Sequence, residues 1–377
     1  MRVLHIFSNP HLTHGASVFE YRIAERLRAD GIIFDYLVTG EPTPEEEARY
    51  ALLDSRVFRL PLDGRHGLLL RELRVNREYH RFFKTHRYDV VYADTENALR
   101  AVHLLMARLA GVRVRVLHSH NTSLQTTSRA SRLIARALRP LFRLSATHYF
   151  ACSEAAADWL FPRSIRAQRR YEILKNGVDL ARFRFSAESR DAARARYALE
   201  GALVIGHIGR FMPQKNHEKL IEIFAALHRM RPEARLLLVG DGPLMPEIRG
   251  LAASLGVAEW VIFAGNVDDV APLLHAMDVF VMPSLFEGLP VTGVEAQAAG
   301  LRCLFSDAIT PELKISRLAE YLPLHAEPET WARRVCALAN APREDASAEI
   351  ERAGYSIEHT AARLRDFYFE HSGGSQV

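Results

Sequence analysis

The chain has 377 residues, 48% of them hydrophobic and 25% charged, with a net charge of +4. This length predicts two domains with substantial cores. Cys152, Cys303 and Cys336 are scattered and form no zinc motif or disulfide framework, which indicates a reducing compartment. We find no signal peptide and no apolar run of the roughly 18 residues that a membrane span needs.

The first half of the chain alternates between strand-like and helix-like segments. Apolar strand patterns occur at Val3–Phe7, Ile33–Val38, Val57–Leu60, Val90–Tyr92, Val114–His118 and His148–Ala151. Helical periodicity fills the intervals, for example at Ser17–Ala29 and Leu99–Ala110. Such alternation predicts a parallel sheet covered by helices, and we assign residues 1–183 to this first domain.

The loop after the first strand contains one glycine, Gly15, before the first helix. Two interpretations of this loop remain open. Its backbone amides are suited to contact a phosphate or a sugar, or it is a plain loop with Ser17 as the helix N-cap.

Two histidines, His118 and His120, end the predicted strand at Val114–His118. Because they are two residues apart in an extended segment, their side chains share a face. Two ligands are too few for zinc, and the sequence shows no third. For His118, a hydrogen-bonded strand-end residue is as good an interpretation as a functional one.

Five arginines follow at helical spacing within Ser128–Ala146, on one stripe: Arg129, Arg132, Arg136, Arg139 and Arg143. A basic amphipathic helix of this kind is typical of a surface that binds anionic membranes. The alternative is an ordinary solvated face of a packed helix. Aromatic residues are not interleaved with the arginines, which argues against nucleic-acid binding.

A charged stretch, residues 184–200, is poor in large apolar residues, and we predict the linker there. A second alternation then forms a domain at residues 201–355, followed by a last helix and tail at residues 356–377. The strand at Val204–Ile208 ends at Gly209 and is followed by Arg210 and Lys215. Arginine offers a planar fork of donors and lysine a point charge, so the pair suits a diphosphate.

A strand at Asp278–Met282 leads through a loop to a small-residue helix at about Val291–Ala299. Glu287 lies in the loop, and Glu295 lies about one turn inside the helix. The helix N-terminus favours anions, and Gly288 allows a ligand to approach the backbone closely. The residues of this domain that we predict to line the site for an anionic ligand are Gly209, Arg210, Lys215, Glu287, Gly288, Leu289, Pro290, Val291, Thr292 and Glu295.

The chain contains no Asp-x-Asp pair, with which many nucleotide-sugar enzymes hold a metal. Asp268 and Asp269 are adjacent and lack that spacing. We therefore expect catalysis that needs no metal and no other cofactor.

Taken together and in this order, these motifs resemble the retaining glycosyltransferases of family 4, in the branch of exopolysaccharide and capsular polysaccharide biosynthesis. The resemblance covers nearly the whole chain. It implies the GT-B fold, an α/β architecture of two doubly wound Rossmann-like domains that face a central cleft. The first domain then binds the acceptor, the second binds the donor, and the C-terminal helix crosses back to the first.

The resemblance also implies roles for particular residues. Arg210 and Lys215 match the family's diphosphate-binding pair, and Glu287 and Glu295 match its glutamate pair, with Glu295 assigned to the donor's ribose. His120 matches the sugar-contacting histidine, and Arg210, Lys215, Glu287 and His120 form the expected catalytic set. The family usually has two glycines where this chain has only Gly15, which leaves that contact with the donor open.

The implied reaction moves a sugar from a nucleotide-diphosphate-sugar, with UDP expected, to a saccharide or lipid-linked saccharide acceptor. The expected location is cytoplasmic, with peripheral attachment to the inner membrane face through the arginine stripe. Two alternatives stay open at this point: a nucleotide-sugar epimerase of the same fold, and a non-catalytic scaffold that binds sugar nucleotides.

Overall fold

The computed structural model describes residues 1–7, 10–12, 15–60, 68–95, 100–120 and 137–371. The chain divides into two compact units, one of Met1–Gly177 with Ile357–Val377 and one of Val178–Ser356. Each is built on a parallel sheet covered by helices. Among the described residues, no helix is both long enough and apolar enough to cross a membrane.

The first unit contains a seven-stranded sheet whose paired strands are all parallel. Its strands are β1 (Arg2–Phe7), β2 (Ile33–Val38), β3 (Val57–Arg59), β4 (Val90–Thr95), β5 (Val114–Ser119), β6 (His148–Ala151) and β7 (Glu172–Ile173). They are ordered β3-β2-β1-β4-β5-β6-β7, so the direction of winding reverses between β1 and β4. Ligands bind at such a switch point in open α/β sheets, beyond the carboxyl ends of the strands.

Helices of the first unit cover both faces of this sheet, because its strands are apolar on both sides. Within the described ranges they are Gly15–Leu27, Pro44–Ala51, Leu68–Thr85, Arg100–Leu109, Phe142–Ser145, Glu154–Leu160, Arg163–Arg166 and Ile357–His371. The helix Pro44–Ala51 begins with a capping box, in which the Thr43 hydroxyl accepts from the Glu46 amide and the Glu46 carboxylate accepts from the Thr43 amide.

The second unit contains a six-stranded sheet, also parallel throughout. Its strands are β8 (Val204–Ile208), β9 (Arg235–Val239), β10 (Val261–Gly265), β11 (Val279–Met282), β12 (Arg302–Ser306) and β13 (Ala319–Leu322). The order β10-β9-β8-β11-β12-β13 puts a second switch point between β8 and β11. The α-helices of this unit are Leu180–Phe183, Ala187–Arg196, His217–Met230, Met245–Ser254, Ala271–Ala276, Val291–Ala298, Pro328–Ala339 and Ser347–Arg352.

The segment at residues 184–200, predicted as a linker, contains the helix Ala187–Arg196 and lies within the second unit. Two of its charged residues form ion pairs within the second unit. Arg190 and Arg194 donate to the two carboxylate oxygens of Asp278 at 2.6 and 2.7 Å. The composition that suggested a linker therefore reflects a helix that is tied to its own unit by ion pairs.

The last helix, Ile357–His371, belongs to the first unit, which confirms the predicted return of the chain. Phe367 and Tyr368 are buried, and the Tyr368 ring lies 5.9 Å from that of Phe34 on β2. The Thr360 hydroxyl donates to the carbonyl of Lys175 at 2.9 Å. This helix is therefore part of the first unit's core.

The predicted arginine stripe is only partly covered by the described residues, since Arg129, Arg132 and Arg136 lie outside them. Arg139 begins a 3-10 turn, Arg139–Leu141, and the helix Phe142–Ser145 follows. Pro140 lacks the N–H group that a continuous α-helix needs here. The guanidinium of Arg139 lies 4.8 Å from the centre of the Trp159 ring, whereas Arg143 is exposed. Only two of the five arginines therefore lie in the described part of the chain, and the stripe stays a prediction.

Candidate functional site

The loop after β8 carries the two predicted phosphate-binding cations. Arg210 is exposed, and among the described residues it forms no ion pair. Lys215 ends the 3-10 turn Pro213–Lys215, just before the helix His217–Met230. A Cβ at Gly209 would lie 3.2 Å from Cδ of Lys215 and 2.8 Å from Nε2 of His207. Glycine at this strand end therefore lets the lysine side chain lie against the backbone.

Glu287 lies in the predicted loop between β11 and the helix Val291–Ala298, and its side chain meets the loop after β8. Its Oε1 is 2.7 Å from Lys215 Nζ, and the two side chains are only 7% and 17% exposed. Gln214 Nε2 donates to Oε2 of Glu287 at 3.0 Å and to the carbonyl of Phe286 at 3.1 Å. The amide of Leu285 donates to the carbonyl of Gln214 at 2.8 Å.

These contacts join two loops at the carboxyl ends of β8 and β11, the strands on either side of the second switch point. Ion pairs are stronger when water is partly excluded, so Lys215 and Glu287 hold each other in place. Gln214 was not identified from the sequence, although it directly precedes Lys215. Its backbone and side chain both contact the Glu287 loop, which no local pattern reveals.

The helix Val291–Ala298 begins after Pro290, and no side chain caps its N-terminus. Thr292 is in the first turn, and its buried Oγ1 has no hydrogen-bond partner among the described residues. Gly288 is partly buried in the loop, while Leu289 and Val291 pack against the hydrophobic core. These apolar residues support the helix start, which leaves backbone and hydroxyl groups to contact a ligand.

Glu295 is the fifth residue of this helix, as predicted, and it is partly buried. Burial raises the pKa of its carboxyl to about 7, nearby Arg182 opposes that rise, and Asp269 adds to it. Arg182 itself pairs with Asp269 at 2.9 Å. The carboxyl therefore changes its charge near neutral pH.

Two further histidines, His207 and His217, lie beside Lys215 and were not predicted as site residues. Nδ1 of His207 donates to the carbonyl of Val281 at 2.9 Å, and burial lowers the pKa of His207 well below its usual value. The His217 ring stacks on Phe211 at 4.0 Å, and burial, aided by Lys215, lowers its pKa to about 4. Both rings are neutral at pH 7, so the positive charge here comes from Arg210 and Lys215.

In the first unit, His118 near the end of β5 and His120 just after it approach the end of β4. Nε2 of His120 lies 2.8 Å from Oδ1 of Asp94, and Nδ1 of His118 lies 2.7 Å from the hydroxyl of Tyr92. Burial lowers the pKa of His118 well below its usual value. The sequence showed no third metal ligand near these histidines, but the structure brings Asp94 and Glu20 to them. The sugar contact of His120 stays a prediction.

Gly15 is the first residue of the helix Gly15–Leu27. Ser17 is buried inside that helix, so its interpretation as the N-cap is wrong, because the helix begins two residues earlier. His14, which precedes Gly15 and stands where the family usually has its other glycine, lies outside the described residues. The donor contact of the Gly15 loop stays a prediction.

Comparison with known proteins gives matches along most of the chain. Residues 13–182 match the family model described as Glycosyltransferase Family 4, and residues 202–341 match the model described as Glycosyl transferases group 1. The putative glycosyltransferase EpsF of Bacillus subtilis is 33% identical over 97% of this chain and 96% of its own. The UDP-Gal:alpha-D-GlcNAc-diphosphoundecaprenol alpha-1,3-galactosyltransferase of Escherichia coli is 26% identical over 67% of this chain and 66% of its own.

Solved structures share the fold at low sequence identity. HepE of Anabaena, in complex with UDP and glucose, has a TM-score of 0.76 and 18% identity, over 98% of this chain and 99% of its own. WaaG, a glycosyltransferase involved in lipopolysaccharide biosynthesis, has a TM-score of 0.73 and 18% identity, over 99% of this chain and 100% of its own. Both agree with the GT-B fold expected from the sequence.

Proposed function

Since this chain belongs to glycosyltransferase family 4, we propose that it is a retaining enzyme that uses a nucleotide-diphosphate-sugar, with UDP as the carrier. The acceptor in this proposal is a saccharide or a lipid-linked saccharide, and the product enters a surface polysaccharide. The residues of the second unit hold the donor, and Arg210 and Lys215 contact its diphosphate.

One observation carries the proposal. The Lys215–Glu287 pair, at 2.7 Å, joins the loops on either side of the second switch point, and Gln214 donates to the same carboxylate. This contact fixes both side chains before the donor binds, with Lys215 as a cation for the phosphates and Glu287 as a carboxylate for the sugar hydroxyls. Exposed Arg210 adds a second cation to the same loop.

In the proposed reaction, the bond between the sugar's anomeric carbon and the leaving phosphate breaks, and the acceptor oxygen forms its bond on the same face. The proton of the acceptor hydroxyl passes to the leaving phosphate. Negative charge grows on that phosphate, so cations fixed beside it stabilise the transition state more than the ground state. No carboxylate nucleophile and no metal are required.

The relatives support the finer parts of this proposal. The Escherichia coli relative is named for a UDP-linked galactose donor and a diphosphoundecaprenol-linked acceptor, and the HepE structure holds UDP and glucose. A UDP-sugar and a lipid-linked acceptor are therefore the first pair to test. Arg139, although it stacks on Trp159, and exposed Arg143 lie in the segment proposed to meet an anionic membrane surface.

A donor panel tests the proposed function. The pure protein is incubated with UDP-, GDP- and ADP-linked sugars, and free nucleotide and sugar identity are measured. We expect slow release of UDP from one UDP-sugar, with faster release when acceptor is added. A changed sugar on an intact nucleotide would indicate an epimerase, and binding without any turnover would indicate a scaffold.

Attachment to the membrane is tested separately. Co-sedimentation with anionic and neutral vesicles at low and high salt should show binding to the anionic vesicles at low salt only, because exposed charges are screened at high salt. Changing Arg139 and Arg143 to Gln should weaken that binding. Equal binding to both vesicle types, or to neither, would mean that these arginines are an ordinary solvated surface.

A further inference from the structure

Four side chains that can ligate a metal meet at the switch point of the first sheet. Asp94 and His118 are the penultimate residues of β4 and β5, His120 directly follows β5, and Glu20 is on the helix Gly15–Leu27. One ligand atom from each of the four lies within 4.8 Å of the corresponding atoms of the others. Asp94 and His118 are direct register partners on neighbouring strands, so the sheet itself sets part of this geometry.

The two carboxylates of this cluster are buried without a strong cation. Glu20 is 2% exposed and Asp94 8%. Within the part of the chain that the structure describes, Oε1 of Glu20 and Oδ2 of Asp94 accept no hydrogen bond, and no lysine or arginine pairs with either residue. Burying a carboxylate is costly unless it is paired, protonated or bound to a metal.

The groups that do contact these carboxylates are imidazoles. His5 Nδ1 lies 2.9 Å from Oε2 of Glu20, and His120 Nε2 lies 2.8 Å from Oδ1 of Asp94. The rings of His118 and His120 are 3.8 Å apart between their centres. Imidazole nitrogens and carboxylate oxygens therefore converge on one small buried volume, with His5 positioned to orient Glu20.

We propose that Glu20, Asp94, His118 and His120 bind one divalent transition-metal ion, of the class of Zn²⁺. Two imidazoles and two carboxylates are ligands that Zn²⁺ takes in tetrahedral sites, at about 2.0–2.2 Å each. Ligand atoms at such distances are about 3.4 Å from one another, so closure of the site needs movements of roughly 1 Å. Contacts outside the ligand set, such as that of His5 with Glu20, fix ligand orientation in metal sites.

This inference does not rest on the proposed function, although His120, the predicted sugar contact, is one of the four ligands. All four ligands belong to the first unit, whereas the residues proposed for the donor's phosphates belong to the second. The ion would connect the helix Gly15–Leu27 to the ends of β4 and β5. A ligand that binds only the folded state raises its stability, so the first effect of the ion is on the unfolding temperature.

The experiment uses the full chain, stripped with a chelator and dialysed. Zn²⁺ binding is measured by calorimetry, and Co²⁺ is added separately to record its absorption spectrum, which reports tetrahedral coordination. We expect one Zn²⁺ per chain, a higher Tm with Zn²⁺ than without, and little response to Mg²⁺. Glu20→Gln and Asp94→Asn should each lower Zn²⁺ affinity roughly 100-fold or more, since even the loss of a contact outside the ligand set costs about 10–100-fold.

The matched control is Asp89→Asn, the same chemical change at an exposed carboxylate that pairs only loosely with Arg113. It should bind Zn²⁺ like the wild type. Circular dichroism establishes that each variant is folded, and Glu20→Gln is nearly isosteric, which keeps the test valid if Asp94→Asn unfolds. The proposal is wrong if the stripped wild type binds no Zn²⁺, or if Glu20→Gln and the wild type bind it equally. The cluster is then a buried network that shares protons.

Discussion

The two units place polar clusters at the same topological position, but the clusters carry opposite charge. At the switch point of the first sheet, between β1 and β4, the structure brings together carboxylates and imidazoles that are nearly inaccessible to water. At that of the second, between β8 and β11, one loop carries exposed Arg210 and partly buried Lys215, which pairs with Glu287. A doubly wound sheet thus supplies the position, and the side chains decide which charge the bound ligand has.

The pairing inside each cluster differs as well. Lys215 and Glu287 neutralise each other, and Gln214 fills a remaining acceptor position. In the first unit, Glu20 and Asp94 face each other's negative charge, and Asp94 contributes to the raised pKa of Glu20, after burial. The second cluster therefore contains its own cation before a ligand binds, whereas among the described residues no lysine or arginine pairs with the carboxylates of the first.

The largest effect is expected from removing a cation at the second switch point. Lys215→Ala or Arg210→Ala should reduce turnover at least a hundredfold, about 2.7–4 kcal/mol, as loss of a donor that stabilises developing negative charge does. Steady-state kinetics with the best donor of the panel measures this. Lys219→Ala, on the neighbouring helix, is the matched control and should be nearly neutral. Near-normal turnover in a folded Lys215→Ala variant would remove the second cluster from the chemistry.

A smaller loss is expected at Glu295, which we assign to the donor's ribose. Glu295→Ala should weaken binding of the nucleoside diphosphate by about 1.5–3 kcal/mol, the range for hydrogen bonds to charged groups. Calorimetry with UDP measures the change, and the same nucleotide without its ribose hydroxyls is the control ligand. Unchanged affinity would exclude Glu295 from the donor site.

The raised pKa of Glu295 also predicts a pH dependence. With a pKa of about 7, the carboxyl is mostly neutral at pH 6 and mostly ionised at pH 8. The ionised form accepts the ribose hydroxyls more strongly, so UDP affinity should rise up to about tenfold over that interval, as the ionised fraction does. Glu295→Gln, which does not titrate, corrects for ionisation of UDP itself. Identical pH profiles for the two proteins would contradict the assignment.

The contact between Gln214 and Glu287 predicts a positioning role. Gln214→Ala removes the donor to Glu287 and to the carbonyl of Phe286, so we expect a fall in kcat of about fivefold or more, from a hydrogen bond worth at least about 1 kcal/mol. KM for the donor should change less, because Lys215 and Arg210 are retained. Gln214→Glu should not rescue activity, since it places a second carboxylate beside Glu287. A fall in kcat that is explained by a smaller folded fraction of the variant would indicate a purely structural role.

The smallest effect is expected from a chelator, which distinguishes the role of the first cluster from that of the second. Excess chelator should leave the initial rate of transfer unchanged at 25 °C, because the phosphates are held by cationic side chains, although it removes any ion from the first unit. Rates are measured with chelator alone and after adding back Mg²⁺ or Mn²⁺. Complete loss that Mg²⁺ restores would mean that Arg210 and Lys215 do not suffice for catalysis.

Much of the fold could be predicted from local sequence patterns. β2 and β6 have the predicted bounds, because strands buried on both faces are mostly apolar along their length. The loop and helix that hold Glu287 and Glu295 were also predicted, since strand, glycine and small-residue helix follow each other directly. In these segments the secondary structure predicted from neighbouring residues is the one that the folded protein has.

The remaining features depend on contacts between residues far apart in sequence. Arg190 and Arg194 looked like linker charges, because Asp278, which pairs with both, lies more than 80 residues away. Glu20 and Asp94 were not predicted as site residues, and only the parallel pairing of β1, β4 and β5 brings them to the histidines. Contacts between such distant residues cannot be predicted from the pattern of neighbouring residues in the sequence.

The return of the last helix has a consequence for synthesis of the protein. Val178 and Ser356, the residues where the chain enters and leaves the second unit, pair with each other, so the second unit is a closed insertion within the first. It can fold while the ribosome is still translating. The first unit cannot complete its core until Phe367 and Tyr368 have emerged, so Phe34 on β2 lacks its aromatic partner from the last helix while the whole second unit is being translated.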